Sequence, residues 1–322
     1  MVALTEREAI ALMVMQYEFN PLASDPYAEA SEKLGIAEDE LLEMLRRLSG
    51  SGVLKRVGFY LNYRSQGKEA ALVALDAPDV DAVRDVIIGD DLVTHAYVRD
   101  DPDYNVWLVV KRSRLDELVR AAQEISERAG ARRYVVLRSV KTYKLSVKYD
   151  LFAGISRSGP HSVIRPNPPR PEELGVSQEL ARLVSRLPLV RDPYGTIASS
   201  LRTSRDKVIE SVGRLLDAGV LADPGAALDG ERVGFKYNGM VLVDSDAPAE
   251  ACEAVTRNEN TTHVVLREPY PPSSYEFRCY AMVHAISREL VEKAAEGIAR
   301  AAGATSYRVL YSLRDLKPGV VR

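Results

Sequence analysis

The sequence predicts an α+β protein built from two tandem copies of one unit, a winged helix-turn-helix followed by a ferredoxin-like βαββαβ domain. Two observations predict this. Short phrases recur at nearly constant offsets: Gly52-Val53-Leu54 returns as Gly219-Val220-Leu221, 167 residues on, and Thr94-His95 returns as Thr262-His263, 168 residues on. In each copy, helical spacing then gives way to alternating, strand-like segments. A period this long indicates duplicated domains, not a solenoid with repeats of about 20–50 residues.

The repeat is not uniform along its length. Arg56-Val57-Gly58-Phe59 returns as Arg232-Val233-Gly234-Phe235 at an offset of 176. This predicts an insertion at residues 222–231, compensated by deletion of the stretch that holds Tyr63–Gly67 in the first copy. Two related halves can build one site together, each supplying different side chains.

Each copy begins with three helices. In the first copy Gly35 marks the short turn between the second and third helices, and Gly50-Ser51-Gly52 ends the third before a strand that would be the wing. In the second copy Thr203 or Ser204 is the expected N-cap of the third helix. The predicted segments are helices at 5–17, 28–34 and 38–48 and a strand at 53–61, then helices at 176–187, 194–201 and 204–218.

A βαββαβ pattern follows in both copies. In the first copy Asp100-Asp101-Pro102-Asp103 supplies the turn between the second and third strands. The predicted segments are 70–75, 80–88, 92–99, 105–111, 113–129 and 132–139, and then 240–244, 248–256, 261–267, 277–284, 287–302 and 305–311.

These patterns predict five consecutive regions. Residues 153–172 are rich in Pro, Gly, Ser and Arg and lack periodicity, so we expect a linker there. The regions are winged helix-turn-helix 1 at 1–62, ferredoxin-like domain 1 at 63–152, the linker at 153–172, winged helix-turn-helix 2 at 173–238 and ferredoxin-like domain 2 at 239–322.

Composition is that of a globular protein with real cores, 46% hydrophobic and 28% charged. The net charge of −3 shows no bulk basicity of the kind that marks nucleic-acid binders. Cys252 and Cys279 form no metal-ligand pattern, and we expect reduced thiols. The apolar run at 9–15 follows charged residues and is too short for a signal peptide or a spanning segment, so the expected location is the cytoplasm, without membrane association.

This arrangement resembles the Lrp/AsnC family over both halves, nearly end to end. Most members are transcriptional regulators whose sheets pair in dimers and bind small effectors. One branch, the siroheme decarboxylases, consists of two homologous subunits or of fusions of them. The resemblance therefore implies a fused heterodimer, an intrachain pseudo-dimer of the two halves. It also leaves room for a further homo-oligomer.

Motif residues favour the decarboxylase branch. Asn62–Gly67 resembles that branch's Asn/Arg-His-Arg-x-x-Gly segment, with Tyr63 in place of His, and His95–Arg99 resembles its Tyr-x-Arg strand. Its Pro-Tyr-Asn-Leu-Phe-x-Met-x-His segment is divided: Asp103–Trp107 keeps one end, whereas Met282-Val283-His284 keeps the other. The second half loses the first loop after Asn238. Such complementary losses suggest one site that shares parts from both copies.

The resemblance implies non-oxidative removal of two acetate carboxyls from siroheme, giving 12,18-didecarboxysiroheme in alternative haem biosynthesis. No redox cofactor and no protein-held metal are implied, since the iron tetrapyrrole is the substrate and the macrocycle can take up the electrons. A histidine could ligate its iron.

Three residues are the candidate catalytic groups: His95, Tyr97 and His263. Residues two apart on a strand share a face, so His95, Tyr97 and Arg99 should line one side of a strand, and His263, Val265 and Arg267 the equivalent one. Guanidinium groups suit carboxylates. The candidate substrate-binding residues are Arg56, Asn62, Tyr63, Arg64, Arg99, Tyr104, Trp107, Arg232, Arg267 and His284.

Structural interpretations stand beside these roles. A strand histidine can simply be polar at a subunit contact, Arg56 and Arg232 can bridge wing and sheet, and His284 can be a packing residue. Tyr63 is either an aromatic substitute in the site or a sign that this half has lost its chemistry.

Two other functions are open. A DNA-binding regulator is disfavoured because the third helix carries Glu38, Asp39, Glu40 and Glu43, which would face phosphate; the segment 203–207 of the second copy is better suited. A sensor of an amino acid or a tetrapyrrole, without catalysis, is the other. Siroheme binding followed by loss of carbon dioxide would separate the three.

Overall fold

The computed structural model describes residues 2–273 and 275–317. The first half contains α1 (Glu6–Tyr17), α2 (Pro26–Leu34), α3 (Glu38–Gly50), β1 (Leu54–Leu61), β2 (Glu69–Asp76), α4 (Val80–Ile87), β3 (Val93–Arg99), β4 (Val106–Arg112), α5 (Leu115–Arg128) and β5 (Arg133–Leu145). Then come β6 (Tyr149–Asp150), β7 (Ile155–Ser156), α6 (Gln178–Val184), α7 (Pro193–Ser200), α8 (Arg205–Asp217) and β8 (Leu221–Leu228). The remaining elements are β9 (Tyr237–Asp244), α9 (Pro248–Thr256), β10 (His263–Pro269), β11 (Cys279–Ala285), α10 (Arg288–Ala301) and β12 (Ser306–Asp315).

The predicted fold class is confirmed: both copies contain three helices, a wing strand and a βαββαβ order. Of the two candidate N-caps of α8, Ser204 is the one used, since its side chain accepts a hydrogen bond from the backbone of Lys207. Short 3₁₀ turns at Tyr63–Gln66 and Pro171–Leu174 lie outside the predicted elements. None of the helices in the described ranges is long and apolar enough to cross a bilayer.

Like domains group together in space. Of the described residues, those within 1–66, 144–236 and 284–287 form one compact unit that carries both winged helices; we call it the winged-helix unit. The described residues within 67–143, 237–283 and 288–317 form the other unit, which carries both ferredoxin-like domains; we call it the barrel unit.

In the winged-helix unit the two wings form a two-stranded antiparallel sheet, with Leu54 of β1 opposite Leu228 of β8. The prediction of an insertion at 222–231 is therefore wrong for most of its length, because residues 222–228 are the second wing. Arg232–Phe235 lie in the turn after β8 and are not the structural equivalent of Arg56–Phe59 in β1. The repeated Arg-Val-Gly-Phe sequence therefore occupies non-equivalent structural positions in the two copies.

In the barrel unit each half supplies a four-stranded antiparallel sheet, β5-β2-β4-β3 and β12-β9-β11-β10. The edge strand β3 pairs with β12, and β10 pairs with β5, so the eight strands close on themselves. Closure leaves no exposed sheet edge in this part of the structure. The two halves thus complete each other's sheet as the subunits of a dimer would.

Every strand of the barrel has an outer and an inner face. On the outer face of the first half, Ala96, Val106 and Leu108 pack with residues of α4 and α5 in a fully buried core. On the inner face a second cluster collects side chains from both halves. Its buried members are Leu72, Ala74, Trp107, Leu137, Met240, Leu242, Phe277, Tyr280 and Leu310. The inner face is therefore a packed interior, as expected for eight strands.

The expectation of reduced thiols is wrong in the structure: Cys252 of α9 and Cys279 of β11 form a disulfide, with Cα atoms 5.5 Å apart. Both residues are fully buried. Their separation of 27 positions in the sequence gives no sign of this, because the pairing depends on how α9 packs over its sheet.

Candidate functional site

His95, Tyr97 and Arg99 lie on the inner face of β3. His95 is opposite Val109, and Tyr97 is opposite Trp107, which belongs to the inner cluster. Directly opposed residues of an antiparallel pair project to the same side of the sheet. The shared face expected from the spacing is thus present.

β10 repeats this arrangement in the second half. His263 is opposite Met282, and Val265 is opposite Tyr280, so His263, Val265 and Arg267 project to the inner face. Because β3 and β10 hold equivalent places in the two sheets, one interior receives a histidine and an arginine from each half.

The histidines and Tyr97 are the partly exposed members of this row. The rings of His95 and Tyr97 lie 6.4 Å apart, and the Arg99 guanidinium lies over the Tyr97 ring at 5.4 Å. Burial lowers the pKa of His263 to about 4, and the nearby positive charge of Arg267 contributes. His263 is therefore a neutral imidazole near pH 7.

The two arginines are deeply buried and join one half to the other. Arg99 donates from Nη1 to the carbonyl of Leu310 on β12 at 2.9 Å. Arg267 donates to the hydroxyl of Ser139 on β5 at 2.7 Å. Burial lowers the pKa of Arg99 to about 10, so this guanidinium stays charged at neutral pH. Among the described residues, its Nε has no hydrogen-bond partner.

Tyr104 and Trp107 differ in access. Trp107 is 1% exposed, and its indole N–H donates to the Tyr104 carbonyl at 2.8 Å, so it is part of the inner packing. Tyr104 is partly exposed, with the Arg133 guanidinium 5.1 Å from its ring and the Tyr275 ring 6.3 Å away.

A partly buried ion pair close to these aromatic rings was not predicted from the sequence. Arg308 donates to Asp101 at 3.0 Å and to Asp103 at 3.2 Å, and it lies over the Phe277 ring at 5.3 Å. Burial raises the pKa of Asp101. The Asp-rich turn at 100–103 was visible in the sequence, but nothing there connects it to an arginine some 200 residues away.

Three predicted residues form one small loop in the winged-helix unit. The Asn62 amide donates to the carbonyls of Arg165 and Gly219 at 3.1 and 3.4 Å, while its Oδ1 accepts from the Arg64 backbone. Asn62 is buried and shapes this loop. The Arg64 guanidinium lies 5.7 Å from the Tyr63 ring, and the Tyr63 side chain is largely buried.

The other three predicted residues of this unit lie apart from that loop. Burial lowers the pKa of Arg56, which is half-buried on β1. Arg232 is exposed and donates to the Ser51 carbonyl at 3.0 Å. The rings of His284 and Tyr149 form a T-shaped contact, with their centroids 5.7 Å apart.

The first turn of the third helix in each winged helix forms an ion pair with a residue of the other copy. Asp39, in the first turn of α3, accepts from Arg191, with Nε 2.8 Å away. Arg205, the first residue of α8, donates to Asp192 at 2.9 Å and to Asp25 at 2.6 Å. The ends that would enter a DNA groove are engaged within the unit itself.

One cavity of this unit, of about 260 Å³, is lined by Gln16, Tyr17, Lys148 and His161, among others. This is below the usual 300–1,000 Å³ of small-molecule pockets. In the described ranges no group of three or more His, Cys, Asp or Glu side chains is placed to hold a metal ion.

Family models match most of the molecule. The AsnC-like ligand binding domain matches residues 66–144 and 232–317, together just over half of the chain. The chain belongs to the AsnC-like family. The model of the siroheme decarboxylase NirDL-like HTH domain matches residues 4–54 of this AsnC-like protein. The resemblance inferred from the motifs is thereby confirmed.

Individual proteins agree with this assignment. A siroheme decarboxylase of Hydrogenobacter thermophilus is 26% identical over 309 residues, covering 92% of this chain and 89% of the relative. The siroheme decarboxylase NirD subunit of Pseudomonas aeruginosa is 36% identical over 112 residues, 34% of this chain and 73% of that subunit. The crystal structure of the siroheme decarboxylase NirDL has a TM-score of 0.63 at 23% identity, covering 97% of this chain and 92% of that chain. A second NirDL structure contains an iron-uroporphyrin III analogue and has a TM-score of 0.61.

Proposed function

We propose that this chain is a siroheme decarboxylase, a carbon–carbon lyase that removes two acetate carboxyls from siroheme and releases 12,18-didecarboxysiroheme. One observation carries the proposal: the barrel unit presents a histidine and an arginine from each half on one inner face. The similarity to siroheme decarboxylases over almost the whole chain supports the substrate.

In the proposed reaction the bond between the acetate methylene and its carboxylate breaks. Carbon dioxide leaves, the electron pair passes into the macrocycle, and a proton is added at the methylene to give a methyl group. Electrons balance without an oxidant, so no redox cofactor is required. The protein must hold the carboxylate, limit water and supply the proton.

The proposed catalytic groups are His95, Tyr97 and His263, since these members of the inner row are partly exposed. A neutral imidazole and a phenol can exchange protons with a substrate near neutral pH. The buried Arg99 and Arg267 would stabilise negative charge from behind them. The donor left on Arg99 Nε supports a carboxylate-binding role for this residue.

The other predicted residues have graded roles in this proposal. Arg56, Arg64 and Arg232 would bind peripheral carboxylates, and Tyr63, Tyr104 and His284 would contact the macrocycle. Asn62 and Trp107 would act indirectly, because their polar atoms are bonded within the protein. Ligation of the siroheme iron by a histidine is part of the proposal. Association with a second copy and a cytoplasmic location stay predictions.

The geometry disfavours the alternative function, that of a DNA-binding transcriptional regulator. The first turn of α3 is acidic, and Asp39 and Arg205 are bonded within the winged-helix unit. A non-catalytic tetrapyrrole sensor differs from the enzyme only in leaving its ligand unchanged. Anaerobic titration with siroheme, followed by mass analysis of the recovered tetrapyrrole, separates them. An unchanged Soret band would contradict both siroheme functions, and a shifted band with unchanged mass would contradict catalysis.

A further inference from the structure

Each inner-face histidine directly follows a threonine, and the two pairs differ. In the second half Oγ1 of Thr262 lies 3.0 Å from Nδ1 of His263 and 3.3 Å from the carbonyl oxygen of Met282. Thr262 is fully buried, so water does not compete for these contacts. The hydroxyl oxygen of Thr262 therefore has two polar neighbours, the ring nitrogen of His263 and the carbonyl oxygen of Met282, and each contact needs one proton.

Proton counting favours one assignment. The hydroxyl has a single proton, and a carbonyl oxygen can only accept. The Met282 oxygen already accepts the backbone N–H of Thr262 at 2.8 Å. If the hydroxyl donated to Nδ1, Oγ1 and the Met282 oxygen would still face each other at 3.3 Å with no proton between them, which is a repulsive contact of lone pairs. If the hydroxyl donates to Met282, Nδ1–H of His263 donates to Oγ1, and both contacts are satisfied. Neutral imidazole has only one N–H, so Nε2 then carries the lone pair.

We propose that Thr262 is a positioning residue that fixes His263 as the Nδ1–H tautomer, so that its Nε2 is the acceptor atom of the site. The assignment rests on the proposed function only in the role it gives Nε2. That role is to accept a proton or a hydrogen bond from the substrate, or to bind its iron. The proton for the new methyl group then comes from another residue, and Tyr97 and His95 on β3 are the candidates.

The threonine–histidine pair of the first half has a different geometry. Thr94 Oγ1 lies 3.3 Å from His95 Nδ1, but within the described residues it makes no bond to the carbonyl of Val109, the residue in the place of Met282. The register of β3 against β4 shifts between Val93 and His95, whereas β10 and β11 pair without a shift. Thr94 therefore serves as a matched control.

The test is the tautomer itself, read by long-range ¹H–¹⁵N NMR on histidine-labelled protein without substrate. The chain has four histidines, and the His263→Gln variant identifies the signal of interest. We expect the Nδ1–H pattern for His263 in wild type and in Thr262→Ser. In Thr262→Val we expect the pattern to move toward Nε2–H, the form that free imidazole side chains favour. Thr94→Val should leave the His263 signal unchanged.

An Nε2–H pattern in wild type, or an unchanged pattern in Thr262→Val, would overturn the assignment. If the valine variant does not fold, the wild-type spectrum alone decides. Turnover tests the proposed function separately: Thr262→Ser should keep the wild-type kcat, and Thr262→Val should lower kcat more than KM. Wild type with the expected tautomer but no activity on siroheme would leave this inference standing and remove the proposed function.

Discussion

His263 shows how neighbouring residues set the chemistry of one side chain. Its imidazole is partly buried in a packed interior, and Arg267 lies four residues further along the same strand face. Both effects oppose the charged form. The sequence supplied the pair and its spacing, since period-two alternation puts both on one face. The size of the pKa shift could not be predicted from the sequence, because the desolvation comes from residues of other strands of the barrel.

The shift has a consequence for stability. The pKa of His263 is about 4 in the folded protein and about 6.5 in an unfolded chain. Between these values the unfolded state binds a proton that the folded state does not, so stability falls as pH falls. We expect wild type to lose more stability between pH 7 and pH 5 than His263→Gln does, measured as urea midpoints. Parallel losses in the two proteins would contradict the lowered pKa.

At the scale of elements, local pattern predicted most helices and strands to within a few residues. β8 is the instructive exception. Its sequence, Leu221 to Leu228, contains Asp223, Pro224 and Gly225, which normally exclude a strand. It is a strand because β1 lies beside it and fixes its backbone by pairing. The pairing of β8 with β1 cannot be inferred from the eight residues of β8, because their local propensity disfavours a strand.

The arginine that crosses from β3 to β12 should stabilise the closed barrel. Arg99→Met removes a buried, charge-assisted hydrogen bond to the Leu310 carbonyl, at an expected cost of about 1–3 kcal/mol. Arg314→Met is the control: this arginine is exposed and pairs with Asp81 at the surface, where such pairs contribute about 0–1 kcal/mol. Urea denaturation measures both. Equal losses would show that Arg99 has no special place in closure.

The disulfide should hold α9 on its sheet. Cys252→Ser is expected to lower the free energy of unfolding by roughly 2–4 kcal/mol, because the unfolded chain regains the freedom of a loop whose ends are 27 positions apart. Melting with and without reductant checks this. Reductant should lower the melting temperature of wild type and leave that of the variant unchanged. If reductant also shifts the variant, its effect does not come from this bond.

At the scale of the whole molecule, the chain's repeat and its spatial grouping differ. The sequence predicted two copies in order along the chain, and both copies are present. It did not predict that both ferredoxin-like domains share one barrel, with β3 pairing with β12 and β5 with β10. Pairing between strands so distant in sequence leaves no local signal.

At the scale of the whole molecule, the contacts between the two winged helices also bear on DNA binding. We expect no salt-sensitive binding of duplex DNA above the level of non-specific proteins, because α3 opens with acidic residues and Asp39 is bonded to Arg191. Fluorescence anisotropy at about 50 and 200 mM salt measures this. Asp39→Asn with Glu40→Gln is the informative variant. Tight wild-type binding that weakens steeply with salt would contradict the expectation that the winged helices do not bind DNA.

The proposed decarboxylation of siroheme by the two halves together is tested most directly by the mass of the tetrapyrrole recovered after anaerobic incubation with the protein. Wild type should lower the mass of siroheme by two carbon dioxide units, whereas His95→Gln and His263→Gln should each slow that loss by about 10²–10⁴-fold. Siroheme recovered at its original mass from folded wild-type protein that binds it would contradict the account.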